Sequence, residues 1–121
     1  MIKNIYHYFL ILFSGLFDRG YYLLTNADVR KADIDPIYHY VKQGWREGRD
    51  PSPDFKTNLY LMLNPDVEKI GINPLIHYIK YGKKEKRLFK LKDAENTYYK
   101  HDAYKLANIL HNSAATPPQT I

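Results

Sequence analysis

The 121-residue chain contains no cysteine, which excludes disulfides, thiolate nucleophiles and thiolate-held metals and is compatible with a reducing compartment. It has only six glycines. They stand singly where turns and helix stops need them, so there is no glycine-rich phosphate loop. No apolar run reaches the roughly twenty residues that cross a bilayer as a helix. The longest, Ile5 to Phe17, ends in "SGLFDRGYY", which lacks the small-residue site of a cleaved signal peptide. None of Ser14, Ser52 and Ser113 lies in a strand-to-helix nucleophile elbow, so a Ser, His and Asp triad is excluded. Metal-binding His and acidic residues at zinc spacing are also lacking. The length suits one small domain, not a large enzyme with a separate substrate domain.

What is present is tyrosine, positive charge and repetition. Twelve tyrosines accompany a single tryptophan, a bias that suits half-buried faces with a wet edge. The net charge of +5 gathers in "KYGKKEKRLFKLK", where Lys80, Lys83, Lys84, Lys86, Arg87, Lys90 and Lys92 face a single Glu85. Such a run attracts anionic lipid headgroups, nucleic acid or acidic polymers. At the other end, Ile5, Phe9, Leu12, Phe13 and Leu16 fall at helical spacing. They predict a helix that either packs on the domain or lies in a membrane interface, and Tyr6, His7 and Tyr8 suit the interface.

Set against itself at an offset of 38 residues, Phe17 to Arg49 matches Phe55 to Arg87 without a gap, with 15 identities in 33 positions. Among the identical pairs are Phe17 and Phe55, Tyr22 and Tyr60, Asn26 and Asn64, Asp28 and Asp66, His39 and His77, Gly44 and Gly82, and Arg49 and Arg87. Each copy carries helix punctuation. Asn73 before Pro74 reads as a cap followed by a proline at the first helical position, with Gly82 as the stop, and Asp35, Pro36 and Gly44 spell the same thing. Asn64 to Asp66 reads as a second cap, opening a helix that closes at Gly71. Phe55, Leu59, Met62 and Leu63 mark a third helical face. Short helices of this kind need a neighbouring repeat to pack on.

The expected fold is therefore all-α: two tandem three-helix repeats (17–53 and 54–90), an N-terminal hydrophobic helix (1–16) and a C-terminal amphipathic helix (91–112). In the last, Tyr99, Ala103, Leu106, Ala107 and Leu110 form one stripe, and residues 113–121 read as a disordered tail. His39 and His77, on the side of their helices away from the apolar positions, are read as structural, each bonded to the aspartate eleven residues earlier or to a backbone group. Glu47 with Arg49, and Glu85 with Arg87, read as structural ion pairs. Residues duplicated in so small a body point to folding, so no catalytic, metal-binding or cofactor-binding residue is assigned and no enzymatic activity is expected.

The wording "FDRGYYLLTNADV", "DPIYHYVKQGWREGRDPSPDF", "YLMLNPDV" and "NPLIHYIKYG" resembles a helical repeat of bacterial proteins. That repeat stands N-terminal to cell-surface polysaccharide glycosyltransferases, including rhamnan-synthesis-like proteins, and also occurs in some hemolysin-type calcium-binding proteins. The resemblance covers Phe17 to Arg87. The chain departs from it where Ala27 stands opposite Pro65 and where "GKKEKRLFK" replaces "EGRDPSP", so the second repeat reads as terminal. Because the chain holds no α/β transferase domain with an acidic metal motif, the resemblance implies an accessory module and transfers no catalytic residue.

The expectation is a non-catalytic module that scaffolds or targets surface-polysaccharide machinery at the cytoplasmic face of the inner membrane. Its partners would be a glycosyltransferase or another glycan-assembly protein, an anionic membrane surface, or a second copy of the chain. The competing expectation is direct binding of glycan, or less favourably of nucleic acid, through Tyr21, Tyr22, Tyr38 and Tyr81 together with basic residues.

Overall fold

A short polar residue followed by proline opens helices in both copies, and the computed structural model, which describes residues 2–98 and 111, builds them there. All regular elements among the described residues are helical. They run α1 (Ile2–Ser14), α2 (Arg19–Thr25), α3 (Ala27–Lys31) and α4 (Pro36–His39), then α5 (Thr57–Leu63), α6 (Pro65–Ile70), α7 (Pro74–His77) and α8 (Leu91–Tyr98). Helices α4 and α7 each run on into a single π turn, Tyr40–Gly44 and Tyr78–Gly82.

The caps at the prolines have the expected geometry. The Asp35 carboxylate accepts from the amides of Ile37 at 2.9 Å and Tyr38 at 3.1 Å, and Asn73 Oδ1 accepts from Leu75 and Ile76 at 3.0 and 3.3 Å. Each satisfies amide donors that the first turn leaves orphaned. Asp18 does the same for Tyr21 at the start of α2. Gly71 closes α6 in the left-handed conformation, φ +77°, where glycine carries no Cβ penalty.

Other expectations need correction. Asn64 flanks α6 but its side chain makes no cap there. It donates to the carbonyls of Tyr60 and Leu88 and accepts from Arg87, so it ties three segments together instead. Gly44 and Gly82 are not left-handed helix stops. They lie in the π turns, and a Cβ on either would collide with a tyrosine hydroxyl, Tyr22 above Gly44 and Tyr60 above Gly82. Phe55 precedes α5 and is not part of its face. Leu16 lies beyond the end of α1 and packs on the core. The stripe from Tyr99 to Leu110 and the tail 113–121 lie outside the described residues.

Aromatic rings at positions 38 apart sit at the centre of each half, among aliphatic side chains. Phe17, Tyr22 and Tyr40 pack together, with Tyr22 and Tyr40 edge-on at 6.1 Å between centroids and 88° between planes. Phe55, Tyr60 and Tyr78 repeat the arrangement, with Tyr60 and Tyr78 at 5.9 Å and 82°. Edge-to-face contact matches the positive ring edge to the negative face. One buried bond links the two sets: the Tyr40 hydroxyl lies 2.9 Å from Thr57 Oγ1, which in turn donates to the Arg49 carbonyl at 2.7 Å.

Helix α1 lies across both halves. It packs on α4 and α7 and on both π turns. Ile11 is its fully buried residue, and Tyr8 donates to Asp35 at 2.8 Å, so a carboxylate that caps α4 also holds α1.

Candidate functional site

The outer face of α1 is an apolar surface left uncovered among the described residues. At about 100° per residue, Ile2, Ile5, Tyr6, Phe9, Leu12 and Phe13 share one arc of the helix, and all six are exposed, Ile2 by 84% and Phe13 by 80%. Phe9 and Phe13 stack at 6.1 Å. The opposite arc holds Ile11 and the half-buried His7, Leu10 and Ser14. Sequence spacing therefore identified Ile5, Phe9, Leu12 and Phe13 correctly as one face and misassigned Leu16. It missed Ile2, which falls on the same arc, and Tyr6, named for the interface together with His7 and Tyr8, lies on this arc while those two are half-buried.

The basic run is divided by the fold. Lys83, Lys84, Lys86, Lys90 and Lys92 are exposed, and Lys90 lies over the Phe89 ring at 5.4 Å. Arg87 is not a free charge: both terminal nitrogens reach the Asp66 carboxylate at 2.8 Å, and its Nε is 2.9 Å from Glu85. Lys80 turns toward α1 and stands 5.6 Å from the centre of the Tyr6 ring and 5.4 Å from that of Tyr81, a cation over two aromatic faces. It therefore sits beside the apolar arc. Among the described residues no helix is long and apolar enough to cross a membrane.

The repeated polar residues form two brackets, the first largely buried and the second more exposed. Arg49 holds Asp28 through both terminal nitrogens, reaches Asn26 at 3.1 Å and has its Nε 3.0 Å from Glu47. Arg87 treats Asp66, Asn64 and Glu85 in the same way. The ion pairs read from the sequence are present, and in each the larger contact is with the aspartate. Those hydrogen bonds hold the Asp28 and Asp66 carboxyls below the ordinary aspartate range.

His39 and His77 are buried, contrary to their expected outward direction, and neither is bonded to an aspartate or to backbone. His39 Nδ1 is 2.7 Å from the Tyr22 hydroxyl and Nε2 is 3.0 Å from Gln43. His77 Nδ1 is 2.8 Å from the Tyr60 hydroxyl. Burial, with Arg49 or Arg87 nearby, keeps both imidazoles below their ordinary pKa, so they are neutral hydrogen-bonding struts. Burial likewise pushes the Tyr22 and Tyr60 phenols up. The fully buried Tyr22 cannot bind a ligand, whereas Tyr38 and Tyr81 are exposed.

Among the described residues no group of three His, Asp or Glu side chains is arranged to hold a metal ion. In comparison with family models, curated proteins and solved structures, the chain matches none.

Proposed function

We propose that the chain is a non-catalytic module of two tandem three-helix units that attaches to an anionic membrane surface through α1 and positions surface-polysaccharide glycosyltransferase machinery there. The observation that carries the membrane part is the exposed arc of Ile2, Ile5, Phe9 and Phe13 with Lys80 at its side. An amphipathic helix of this kind lies in the interface with its apolar side among the acyl chains, while cations meet lipid phosphates. Each lysine or arginine near an anionic surface contributes about 1 kcal/mol, and burying a phenylalanine about 1.5–3 kcal/mol. The glycan part rests on the resemblance of Phe17 to Arg87 to the glycosyltransferase-associated repeat. On this reading the module works at the cytoplasmic face of the inner membrane.

Co-sedimentation with phosphatidylcholine vesicles, with and without phosphatidylglycerol, tests the attachment. Binding is expected to require the anionic lipid and to be lost in the Phe9→Glu, Phe13→Glu double variant. Binding that survives those substitutions overturns the assignment. Removing residues 1 to 16 is a poorer test, because it also removes Ile11 and the Tyr8 bond to Asp35. Sedimentation velocity without lipid provides the counterpart: a stable oligomer broken by Phe13→Glu would assign the arc to self-association. Loss of the chain from its host is expected to reduce surface polysaccharide, and an unchanged polysaccharide would remove the glycan part. The second reading, direct binding of glycan or nucleic acid, retains the exposed Tyr38 and Tyr81 and loses Tyr22.

A further inference from the structure

On its inner side, the first turn of α1 does not close against the two halves. It leaves a cleft of about 510 Å³ between Lys3 and His7 on one wall, the first π turn and Arg46 on another, and the start of α7 with Lys80 on the third. Four cations line it: Lys3, Lys42, Arg46 and Lys80, without any Asp or Glu. None of the four has a carboxylate within 4 Å among the described residues. Arg19, Arg49, Lys56 and Arg87 meet acids elsewhere in the molecule; what sets the cleft apart is that four cations without such a partner share one concavity.

Like charges gathered around one concavity repel one another, and the low-dielectric walls focus their field on whatever enters. That field already acts on His7, which burial and the charges of Lys3 and Lys80 hold below its ordinary pKa. The cations are also restrained. Arg46 lies 4.7 Å from the Trp45 ring centre and donates to the Lys42 carbonyl at 2.9 Å, Lys42 lies over Tyr38, and Lys80 lies over Tyr6 and Tyr81. The buried Asn73 lines the same cleft, with Oδ1 committed to capping α7 and Nδ2 left without a partner.

We infer that this cleft binds the phosphate or diphosphate group of an organic ligand, with Lys42, Arg46, Lys80 and Lys3 neutralising the anion and Trp45 and Tyr81 flanking the body attached to it. A forked guanidinium and three ammonium groups suit a compact, multiply charged oxyanion better than a single carboxylate. The volume is that of a small-molecule pocket, larger than phosphate alone needs, so part of it is left for a ring. The cleft uses the inner arc of α1 and the membrane reading the outer arc, with Lys80 common to both. Lys42 and Arg46 belong to the cleft alone and Phe9 and Phe13 to the outer arc alone, so substitutions there test the two readings separately.

Trp45 is the only tryptophan in the chain and lines the cleft, so its emission reports on this site alone. Full-length protein titrated with inorganic pyrophosphate at fixed ionic strength should give a saturable change in Trp45 emission and a matching calorimetric isotherm. In Lys42→Ala, Arg46→Ala protein the calorimetric affinity should fall at least about tenfold, the scale set by one lost charge-assisted contact. Lys83→Ala, Lys84→Ala, which removes equal charge outside the cleft, should stay within about twofold. Circular dichroism establishes that each variant is folded. The phosphate source is separated by a parallel titration of Phe9→Glu, Phe13→Glu protein with phosphatidylglycerol vesicles. A Trp45 response to pyrophosphate assigns a soluble phosphorylated ligand. A response to vesicles alone, abolished by the Lys42 and Arg46 substitutions, assigns a lipid headgroup. Silence of Trp45 in both titrations overturns the site, as does an equal loss of affinity from the Lys83 and Lys84 substitutions.

Discussion

Arg49 donates to both carboxylate oxygens of Asp28, at 2.8 and 2.7 Å, across 21 residues of chain. The guanidinium is 5% exposed and Asp28 is only partly so, which makes this the more buried of the two brackets. The corresponding pair, Arg87 and Asp66, joins the same atoms at 2.8 Å each but stands further into solvent. Equal geometry in unequal surroundings should give unequal energies, because screening by water weakens an exposed pair.

Arg49→Ala is therefore expected to cost about 3 kcal/mol, the range for breaking a buried pair and stranding its partner, and Arg87→Ala clearly less. Urea denaturation midpoints of the two variants decide it. Arg49→Lys should recover only part of the loss, since an ammonium cannot make the forked contact. Equal losses at the two arginines would mean that burial does not set their worth.

Glycine substitutions should separate two reasons for having no side chain. Gly44→Ala and Gly82→Ala force a Cβ against the Tyr22 and Tyr60 hydroxyls and should each destabilise by about 1–3 kcal/mol, as overpacking does. Gly20 lies within α2 with its nearest neighbour at 3.6 Å, so Gly20→Ala should stabilise by about 0.5–1 kcal/mol. Thermal melting of the three variants checks the sign in each case.

Acid should weaken the fold before the carboxylates titrate. His7, His39 and His77 all have folded-state pKa values below 6.5, so the unfolded chain binds protons first and stability falls as pH drops through and below about 6.5. Above about pH 7.5 it should be flat with respect to these groups. Asp28, Asp35 and Asp66 are depressed below 3.8 and contribute stability lost only at lower pH. Asp50, raised by burial, acts in the opposite sense from 3.8 upward. Denaturation midpoints at pH 5.5 and 7.5 should differ, and His39→Gln should reduce the difference. A midpoint unchanged between these pH values would mean the imidazoles tolerate charge where they sit.

Phe13→Ser tests whether the outer arc belongs to the core. With the ring 80% exposed, melting temperature should change little, while partitioning onto phosphatidylglycerol vesicles should fall by about tenfold or more, since a phenylalanine contributes about 1.5–3 kcal/mol on burial. A large drop in melting temperature would place Phe13 in a contact within the protein.

The parts of this architecture legible in the sequence are those governed by rules acting within a turn. Asp35 before Pro36, Asn73 before Pro74 and Gly71 after α6 each cap a helix through atoms two or three residues away. The Tyr22 bond to His39 spans 17 residues and the Asn26 bond to Arg49 spans 23, and no local rule reaches that far. Asn64 illustrates the competition: placed where a cap is expected, its amide is instead drawn to Tyr60, Leu88 and Arg87. The repeat nevertheless held the information in another form, since Tyr22, His39 and Gly44 recur together as Tyr60, His77 and Gly82. Residues that meet in space were retained as a set, though the sequence alone did not say which touched which. The cleft was invisible for a different reason. Its cations come from three separate segments, and only Lys80 belongs to the basic run.

Helix α1 commits one arc to both halves of the molecule and leaves the other arc free. A body attached to a plane through such a helix has no freedom to roll: the free arc turned toward the surface sets the azimuth of everything packed beneath it. The two halves would then stand at one fixed height and heading. For the proposed role of presenting another protein at a surface, that is the difference between a tether and a mount.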